Sequence, residues 1–333
     1  MMTSKTYFKE ILKNIYYKTF FKTDTINETI ANFQTDTFRE ETLKIKDEFI
    51  KKHALEIIDN GYTVVKNSVD LSLLNEMVTD FYNWKARNLN KFDTHFFKFD
   101  DKLDRVINLQ AALCKLKDLF STNKALLVQD YLFQSETSLY SSLFFEVGSA
   151  QDIHRDVPLF WTRPANMYFG TWLALENTDT NNGPLVVIPG SHKLPLFDRN
   201  SILKNSGFLN KRIGEYEDIL WTNYQKVVQD ECVKKSLEII EVHVDKGDTI
   251  IWHPLLAHGG KEIIDKSRSR LSHVVHTTPI NIPVYHMDIF FNSKTKVPIN
   301  APWNYENHLG RKLVKHKKIN IKHVQGYDYN QLK

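Results

Sequence analysis

The sequence has two cysteines, no long apolar run and little net charge, and each shortage excludes a class of protein. Cys114 and Cys232 lack a metal-type spacing, so we expect no disulfide framework and no cysteine-rich metal site, and we predict a reduced, intracellular protein. Nowhere do eighteen apolar residues follow one another, which argues against a transmembrane segment. A net charge of +4 over 333 residues does not require nucleic acid or membrane as a partner.

Motifs for several other enzyme classes and for export are also missing. There is no Walker A, Gly-x-Gly-x-x-Gly or Gly-x-Ser-x-Gly pattern, which argues against nucleotide-binding folds and α/β-hydrolases. Lysines interrupt the apolar residues between positions 7 and 21, which argues against a signal peptide. Glu10 and the lack of arginine in that segment argue against a transit peptide. We therefore expect a cytoplasmic protein.

Residues 1–58 form the first of three regions and are predicted to be a helical extension. Apolar residues recur at intervals of three and four between positions 7 and 20, with lysines interspersed, which is typical of a basic amphipathic helix. Such a helix either packs on the outside of the main domain or lies on an anionic membrane surface. Peripheral membrane contact through this helix is the second of these two interpretations.

Residues 59–291 form the second region, which we predict to be mainly β with flanking helices. Residues 62–66 follow an Asn-Gly pair and indicate a strand, after which Asp70 or Ser72 caps a helix. Further strands are predicted at 139–147, 167–175, 185–188, 237–244, 249–252 and 271–277. Helices do not alternate with these strands, so we expect a jelly-roll core, with a partly helical insertion at about 196–236 over one mouth.

Residues 292–333 form the third region, a tail that is predicted to be loop-like and then basic. Its cations are Arg311, Lys312, Lys315, Lys317, Lys318 and Lys322. A basic run of this kind can contact phosphate groups, but without interleaved aromatic residues it is more often a solvated surface. We therefore expect no nucleic-acid partner.

Candidate metal ligands come from the pattern His-x-Asp, since residues i and i+2 of an extended chain point the same way. Two imidazoles and one carboxylate on one side of an ion leave further coordination positions open. The sequence has three such pairs, which begin at His154, His243 and His286. With thirteen histidines about one pair is expected by chance, so the pattern alone decides nothing.

The position of a third ligand distinguishes the three pairs. His154 and Asp156 have a partner in His258, about a hundred residues later and with several strands between them. The histidines after His243 follow only a turn and a strand later, and those after His286 fall in the basic tail. We therefore predict a metal site of His154, Asp156 and His258, and ordinary polar roles for the other two pairs.

Two arginines downstream suggest an anchor for a dicarboxylate cosubstrate. Residues 267–276 alternate as a strand does, with Arg268, Arg270 and His276 on one face. A guanidinium binds a carboxylate through paired hydrogen bonds, so one of the two arginines is the expected clamp. Strand aromatics are usually core residues, but four of them are candidates for the pocket lining: Phe160, Trp161, Tyr168 and Trp172.

The segment 172–193 closely resembles the signature of the phytanoyl-CoA dioxygenase family, which includes ectoine hydroxylases. The resemblance extends over residues 60–279 and includes the Asn-Gly-Tyr-Thr-Val-Val entry, the His154 and Asp156 pair, Lys246-Gly247-Asp248, and His258-Gly259-Gly260 with a trailing arginine. Within the segment, Asn182-Gly183 is a favoured type I′ dipeptide and predicts a hairpin. His192 is interpreted as a loop residue.

The resemblance implies a double-stranded β-helix that holds iron(II) and 2-oxoglutarate and reacts with O2. The family's metal ligands fall on His154, Asp156 and His258. Its 2-oxoglutarate arginine falls best on Arg270, with Arg268 as the alternative, and a similar segment places Gln134 as an amide contributor to the cosubstrate.

The same resemblance implies a reaction. Succinate and CO2 would be released while a small-molecule substrate is hydroxylated. Related halogenases lack the carboxylate ligand, so the presence of Asp156 points to hydroxylation or desaturation.

Two other functions stay open from the sequence. A cupin-like metal-dependent isomerase or hydrolase would use the same three ligands, but it would not need a carboxylate clamp. A non-catalytic jelly-roll binding module would have no reason to bring the triad together. The family acts on acyl-CoAs, amino acid derivatives, sugars, lipids and natural-product scaffolds, so the substrate is not indicated.

Overall fold

The computed structural model describes residues 31–92, 96–99, 101–292, 294–295, 297, 301–321 and 325–328, so the amphipathic segment predicted at 7–20 lies outside the described residues. The helices are α1 (Asp36–Lys44), α2 (Glu48–Asn60), α3 (Leu71–Asn88), α4 (Cys114–Thr122), α5 (Ala125–Phe133), α6 (Arg199–Asn205), α7 (Asp218–Lys234) and α8 (Met287–Phe290).

The strands of the described residues are β1 (Tyr62–Val65), β2 (Phe97–Phe99), β3 (Lys102–Leu103), β4 (Arg105–Ile107), β5 (Thr137–Phe145), β6 (Trp161–Thr162), β7 (Phe169–Ala174), β8 (Leu185–Val187), β9 (Ile240–Val242), β10 (Thr249–Trp252), β11 (His258–Gly260), β12 (Ser272–Pro279), β13 (Val284–Tyr285), β14 (Tyr305–His308), β15 (Arg311–Val314), β16 (Lys318–Ile321) and β17 (Gln325–Asp328). All the strands predicted from the sequence are present, although β9 is shorter than expected.

Two β-sheets enclose the interior of the protein. In the described chain the larger sheet has the strand order β1-β10-β7-β12-β5-β4-β16-β17, and the smaller has the order β11-β8-β9. Their facing side chains meet in one apolar cluster, to which the larger sheet contributes Trp172 and Val274 and the smaller sheet contributes Val187 and Val242. The predicted jelly-roll, or double-stranded β-helix, core with flanking helices is therefore confirmed.

Helix α3 covers the outer face of the larger sheet. Asp70 caps it by accepting a hydrogen bond from the backbone N–H of Leu73, as one of the two sequence alternatives predicted. Its apolar residues recur at helical spacing and are fully buried: Leu74, Met77, Phe81 and Trp84. None of the helices in the described part of the chain is long and apolar enough to cross a membrane.

A buried ion pair joins α3 to the end of β5. Lys85 Nζ lies 2.8 Å and 3.0 Å from the two carboxylate oxygens of Glu146. The backbone N–H of Leu103 donates to the same carboxylate at 2.7 Å. Burial raises the pKa of Glu146, and Lys85 opposes this shift, so each charge depends on the other.

The hairpin predicted at Asn182-Gly183 is wrong. Strands β7 and β8 belong to different sheets, and residues Thr180–Asn182 form a short 3-10 turn between them. Asp179 Oδ1 caps this turn by accepting from the backbone N–H of Asn181, and Asn182 Oδ1 accepts from the backbone N–H of Asp179. Gly183 has a φ of 76°, which favours glycine. Because β7 and β8 pair with strands of different sheets, they do not form a hairpin, and the capped 3-10 turn stands where the type I′ turn was predicted.

The C-terminal segment also differs from the prediction of a loop. Strand β15 pairs with β5, and β16 pairs with β4, so the segment extends the larger sheet. Its apolar residues Leu313, Ile319 and Ile321 are buried, although cations separate them in the sequence. Arg311 Nη1 forms an ion pair with Asp130 Oδ2 at 2.7 Å, so this cation joins the C-terminal segment to helix α5.

The insertion has the predicted helical content and packs beside the strand segment that carries His154. Gln225 of α7 accepts a hydrogen bond from Arg155 N at 2.8 Å and donates one to Arg155 O at 3.0 Å. The ring of Trp221, also on α7, lies 5.8 Å from the ring of His154. These contacts hold the insertion next to the candidate ligands.

Candidate metal centre

The three predicted metal ligands come together inside the barrel. His154 and His258 pair through their backbones, with N to O distances of 2.8 Å and 2.9 Å, so their side chains stand next to each other. Asp156 follows two residues after His154. One ligand atom from each residue lies within 4.8 Å of the others, and all three residues are buried. The arrangement supplies the two imidazoles and one carboxylate of a facial triad.

Backbone carbonyl groups fix the tautomer of both histidines. Nδ1 of His154 lies 2.8 Å from the carbonyl oxygen of Asp152, and Nδ1 of His258 lies 2.9 Å from that of Leu256. A carbonyl oxygen only accepts, so each Nδ1 carries the proton and each Nε2 presents a lone pair. Burial lowers the pKa of both histidines to about 4, and for His154 the neighbouring His258 lowers it further. Both rings are therefore neutral at neutral pH, the form in which imidazole binds a metal.

Two ring donors orient Asp156. Trp252 Nε1 donates to Oδ2 at 2.8 Å, and the Tyr168 hydroxyl donates to the same oxygen at 3.1 Å. The other carboxylate oxygen of Asp156, Oδ1, lies 3.8 Å from Nε2 of His258. The Trp252 ring can lie against β7 only because its neighbour there is Gly170, where an added Cβ would stand 2.0 Å from the indole. The sequence named Tyr168 only as a pocket residue and gave no role to Trp252.

Arg270 is a buried cation with an unpaired nitrogen. Its guanidinium carbon lies 5.8 Å from the centre of the Trp172 ring, and Nη1 donates to the carbonyl oxygen of Gly183 at 2.6 Å. Nε has no hydrogen-bond partner among the described residues, and the same is true of the hydroxyl oxygen of Ser272 two residues later. Burial lowers the pKa of Arg270 to about 10, so it stays charged at neutral pH. Two unsatisfied buried donors at this spacing fit a bound carboxylate.

The two remaining cosubstrate candidates lie elsewhere. Arg268 precedes β12, which begins only at Ser272, so the predicted alternation with Arg270 is not present. Arg268 Nη1 instead lies 2.9 Å from both carboxylate oxygens of Asp179, in a partly exposed pair. Gln134 ends α5 and donates through Nε2 to the carbonyl oxygen of Tyr131 at 2.5 Å. Neither side chain has a contact with the triad among the described residues.

The other histidine pairs do not join the triad. His243 is exposed and contacts Glu241, and His286 Nδ1 lies 2.7 Å from the carbonyl oxygen of Leu159. His192, which was interpreted as a loop residue, is buried in a short 3-10 turn (Ser191–Lys193), and its Nε2 donates to the carbonyl oxygen of Ile58 at 3.0 Å. A second ligand-type group in the described chain lies at the surface, where His308 already binds Asp118 beside Cys114.

An aromatic wall stands beside the triad. The Phe160 ring stacks on Tyr168 at 5.0 Å between centroids and lies 4.2 Å from the His276 ring. Tyr140 lies 6.4 Å from Phe160 on its other side. Of the four aromatics named from the sequence, Phe160, Tyr168 and Trp172 face this interior. Trp161 instead packs against Phe290 in the cluster around α7.

The fold and the site define a class. A jelly-roll core that holds a buried two-histidine, one-carboxylate triad and a buried arginine whose Nε has no partner among the described residues is the arrangement of the iron(II)- and 2-oxoglutarate-dependent oxygenases. The particular family follows from the sequence profile that matches residues 58–270: the chain belongs to the phytanoyl-CoA dioxygenase (PhyH) family.

Similar proteins agree with this assignment. The peroxisomal phytanoyl-CoA dioxygenase of Rattus norvegicus is 34% identical over 111 residues, which cover 33% of this chain and 28% of the rat protein. The phytanoyl-CoA dioxygenase domain-containing protein 1 of Danio rerio is 28% identical over 188 residues, or 51% of this chain and 62% of that protein. The chain thus spans about a quarter of the length of the first of these relatives.

Solved structures share the fold. The epimerase SnoN, crystallised with Fe3+, alpha ketoglutarate and nogalamycin RO, has a TM-score of 0.56 at 17% identity and covers 80% of this chain and 98% of its own. EctD from S. alaskensis, with 2-oxoglutarate and 5-hydroxyectoine, has a TM-score of 0.54 at 14% identity and covers 81% of this chain and 88% of its own. At these identities the likeness establishes the fold.

Proposed function

We propose that this chain is an iron(II)- and 2-oxoglutarate-dependent dioxygenase that hydroxylates a small-molecule substrate and releases succinate and CO2. The observation that carries the proposal is that one barrel holds both the buried triad and a buried arginine whose Nε has no partner among the described residues. A zinc-dependent isomerase would need the triad alone, and a binding module would need neither. The conjunction of ligands and carboxylate anchor therefore favours the oxygenase.

Each residue has a part in this function. His154 Nε2, Asp156 Oδ1 and His258 Nε2 would hold the iron. Arg270, aided by the Ser272 hydroxyl, would bind the far carboxylate of 2-oxoglutarate. The iron with its bound cosubstrate supplies the activation of O2 that hydroxylation of an unreactive C–H bond requires.

The protein's own contribution is positioning and the exclusion of water. Tyr168 and Trp252 hold Oδ2 of Asp156 through hydrogen bonds, so Oδ1 is the oxygen that would be left to hold the iron. Burial raises the pKa of Tyr168 well above its usual value, so its hydroxyl stays a donor. The ring of Trp172, only 2% exposed, lies between the sheets and keeps solvent from the Arg270 guanidinium.

We propose residues 59–291 as the oxygenase unit, with β15 and β16 added to its larger sheet. The family match over 58–270 supports these limits. Membrane contact through the N-terminal segment and a cytoplasmic location stay predictions.

The test begins with anaerobic titration of iron(II) and 2-oxoglutarate, followed by oxygen and a measurement of succinate. We expect one iron per chain and slow succinate formation without substrate, which a suitable substrate from a broad panel should accelerate. His154→Ala should lose both properties, and His243→Ala is the matched control that should keep them. Iron-loaded wild-type protein that forms no succinate with any substrate of the panel would contradict the proposal.

A further inference from the structure

Three side chains of the kinds that bind metals meet at the surface of the protein, apart from the triad. They are Cys114 and Asp118 of α4 and His308 of β14. One ligand atom from each lies within 4.8 Å of the others, and His308 Nε2 lies 2.5 Å from Asp118 Oδ1. Asp118 and His308 are 190 positions apart in the sequence, so the tertiary structure brings the three donors together.

Helix α4 presents two of the donors on one face. Cys114 is its first residue and Asp118 follows four residues later, a spacing that places both side chains on the same side of the helix. Cys114 is exposed, whereas the side chain of Asp118 is 28% exposed and that of His308 is 21% exposed. An ion can therefore reach the thiol from solvent, and the other two donors are already partly shielded from water.

A tight hairpin holds the third donor. His308 is the last residue of β14 and stands opposite Arg311 of β15. Both residues of the turn between them have positive φ values, 47° for Leu309 and 84° for Gly310. A two-residue turn of this kind fixes the register of the two strands, and the position of the imidazole is fixed with it.

An ion pair joins the strand to the helix beside these donors. Glu306 lies two residues before His308, on the same face of β14, and its carboxylate lies 2.5 Å from Nζ of Lys117. Lys117 is the neighbour of Asp118 in α4. Because this ion pair and the hairpin hold helix and strand together, the three donors are positioned before any ion binds.

The exposed position of Cys114 is unusual for a cysteine. Free cysteine is among the most buried residue types in proteins. Cys232, the other cysteine of the chain, follows this rule with an exposed fraction of 2%. Cys114 belongs to none of the apolar clusters of the described residues, so packing does not account for its position. Its contact with an imidazole and a carboxylate points to metal binding instead.

We propose that Cys114, Asp118 and His308 bind a zinc ion, which fastens β14 to α4. Cysteine sulfur, histidine nitrogen and carboxylate oxygen are the donors that zinc takes in proteins, and three of them leave the fourth tetrahedral position to water. Magnesium and calcium take oxygen donors, and iron(II) binds sites of this kind more weakly than zinc does. The inference is independent of the proposed function, because the site shares no residue with the triad.

The test is a titration of the full-length, chelator-treated protein with cobalt(II), a spectroscopic substitute for zinc, under reducing conditions. Cobalt(II) bound to a thiolate has an intense charge-transfer band in the near ultraviolet, which the sulfur-free triad cannot produce. The variants are Cys114→Ser, Asp118→Asn and His308→Ala. Cys232→Ala is the control for a thiol outside the site, and His258→Ala is the control for the triad. Thermal unfolding of each metal-free variant checks that the fold is kept.

We expect wild type, Cys232→Ala and His258→Ala to show the band, which should saturate with one cobalt ion and disappear when zinc is added. Cys114→Ser should lack the band. His308→Ala and Asp118→Asn should bind this ion more than about a hundredfold more weakly, because loss of an outer-shell partner alone costs about ten- to a hundredfold. Zinc should also raise the unfolding temperature of His258→Ala, but not that of a variant in which Cys114→Ser is added, since an ion stabilises only the fold that binds it.

The absence of the charge-transfer band in wild type would overturn the inference, and so would a band that survives in Cys114→Ser. Equal cobalt affinity in wild type, His308→Ala and Asp118→Asn would show that the thiol binds cobalt without the other two donors, which also contradicts the site. Displacement of cobalt by magnesium or calcium, but not by zinc, would contradict the assignment of the ion. Succinate formation is not measured in any of these experiments, so the proposed function stands or falls separately.

Discussion

Replacement of Arg270 by glutamine is the sharpest test of the cosubstrate site. Arg270 is only 3% exposed, so a carboxylate bound there is shielded from water and depends on the guanidinium for its charge balance. Truncation of one partner of a buried, hydrogen-bonded charge pair costs about 2–5 kcal/mol. At about 1.4 kcal/mol per factor of ten, the dissociation constant of 2-oxoglutarate should rise between about 30-fold and about 4000-fold.

The matched control is Arg268→Gln. Arg268 pairs with Asp179 at the surface, where the two side chains are 35% and 47% exposed. Such a pair contributes about 1 kcal/mol or less to stability, and it lies apart from the triad, so 2-oxoglutarate affinity should change by about twofold at most. Both variants are measured by anaerobic calorimetric titration of 2-oxoglutarate into the iron-loaded protein.

The ranking of the two variants decides the assignment. If Arg268→Gln weakened 2-oxoglutarate binding and Arg270→Gln did not, the clamp would be Arg268 and the reasoning from the orphaned Nε of Arg270 would be refuted. Thermal unfolding provides the check on folding. Arg270→Gln should not destabilise the metal-free protein greatly, because it removes a buried charge that has no carboxylate partner among the described residues.

Four further predictions concern the metal, the outcome of the reaction and stability. His258→Ala should abolish iron binding in a chelator-competition assay, whereas His286→Ala should leave it intact; the opposite result would move the site. Asp156→Gly should abolish hydroxylation and open the metal to chloride, so full activity in this variant, measured by product analysis, would exclude the carboxylate as a ligand. Glu146→Gln leaves the buried Lys85 with only the exposed carboxylate of Asp101, at 3.7 Å, and should lower the free energy of unfolding in urea by about 3 kcal/mol. Burial lowers the pKa of His273 to about 3, below its unfolded value of about 6.5, so this residue should destabilise the fold progressively as the pH falls from about 6.5 toward 3. His273→Leu should flatten that dependence in urea unfolding at pH 7 and pH 4.5, and an unchanged slope would show that other groups dominate it.

The sequence by itself determined most of the core. Strands β5, β7 and β12 were predicted within a few residues, because short runs of apolar and β-branched residues indicate strands that are buried on both faces. The metal ligands could also be chosen, since only one His-x-Asp pair has a distant histidine with strands between. Residue type and order in the chain were sufficient for that choice.

Other features depended on contacts between distant parts of the chain. The strands of the C-terminal segment could not be predicted from the sequence, because lysines separate their buried apolar residues. Their pairing with β4 and β5 is seen only in the tertiary structure. The turn at Asn182 followed from the need of β7 and β8 to join different sheets, which overrides the preference of the dipeptide for a hairpin.

The assignment of the carboxylate anchor also depended partly on the sequence and partly on the tertiary structure. The sequence supplied two arginines near one another and could rank them only by resemblance, because alternation does not say where a strand begins. The tertiary structure places Arg268 on Asp179 at the surface and buries Arg270 beside Trp172. It also places Trp252 on Asp156, through a hydrogen bond between residues 96 positions apart. Hydrogen bonds between residues so distant in the sequence, and the burial of side chains between them, are set by the packing of the two sheets, and no local sequence pattern encodes them.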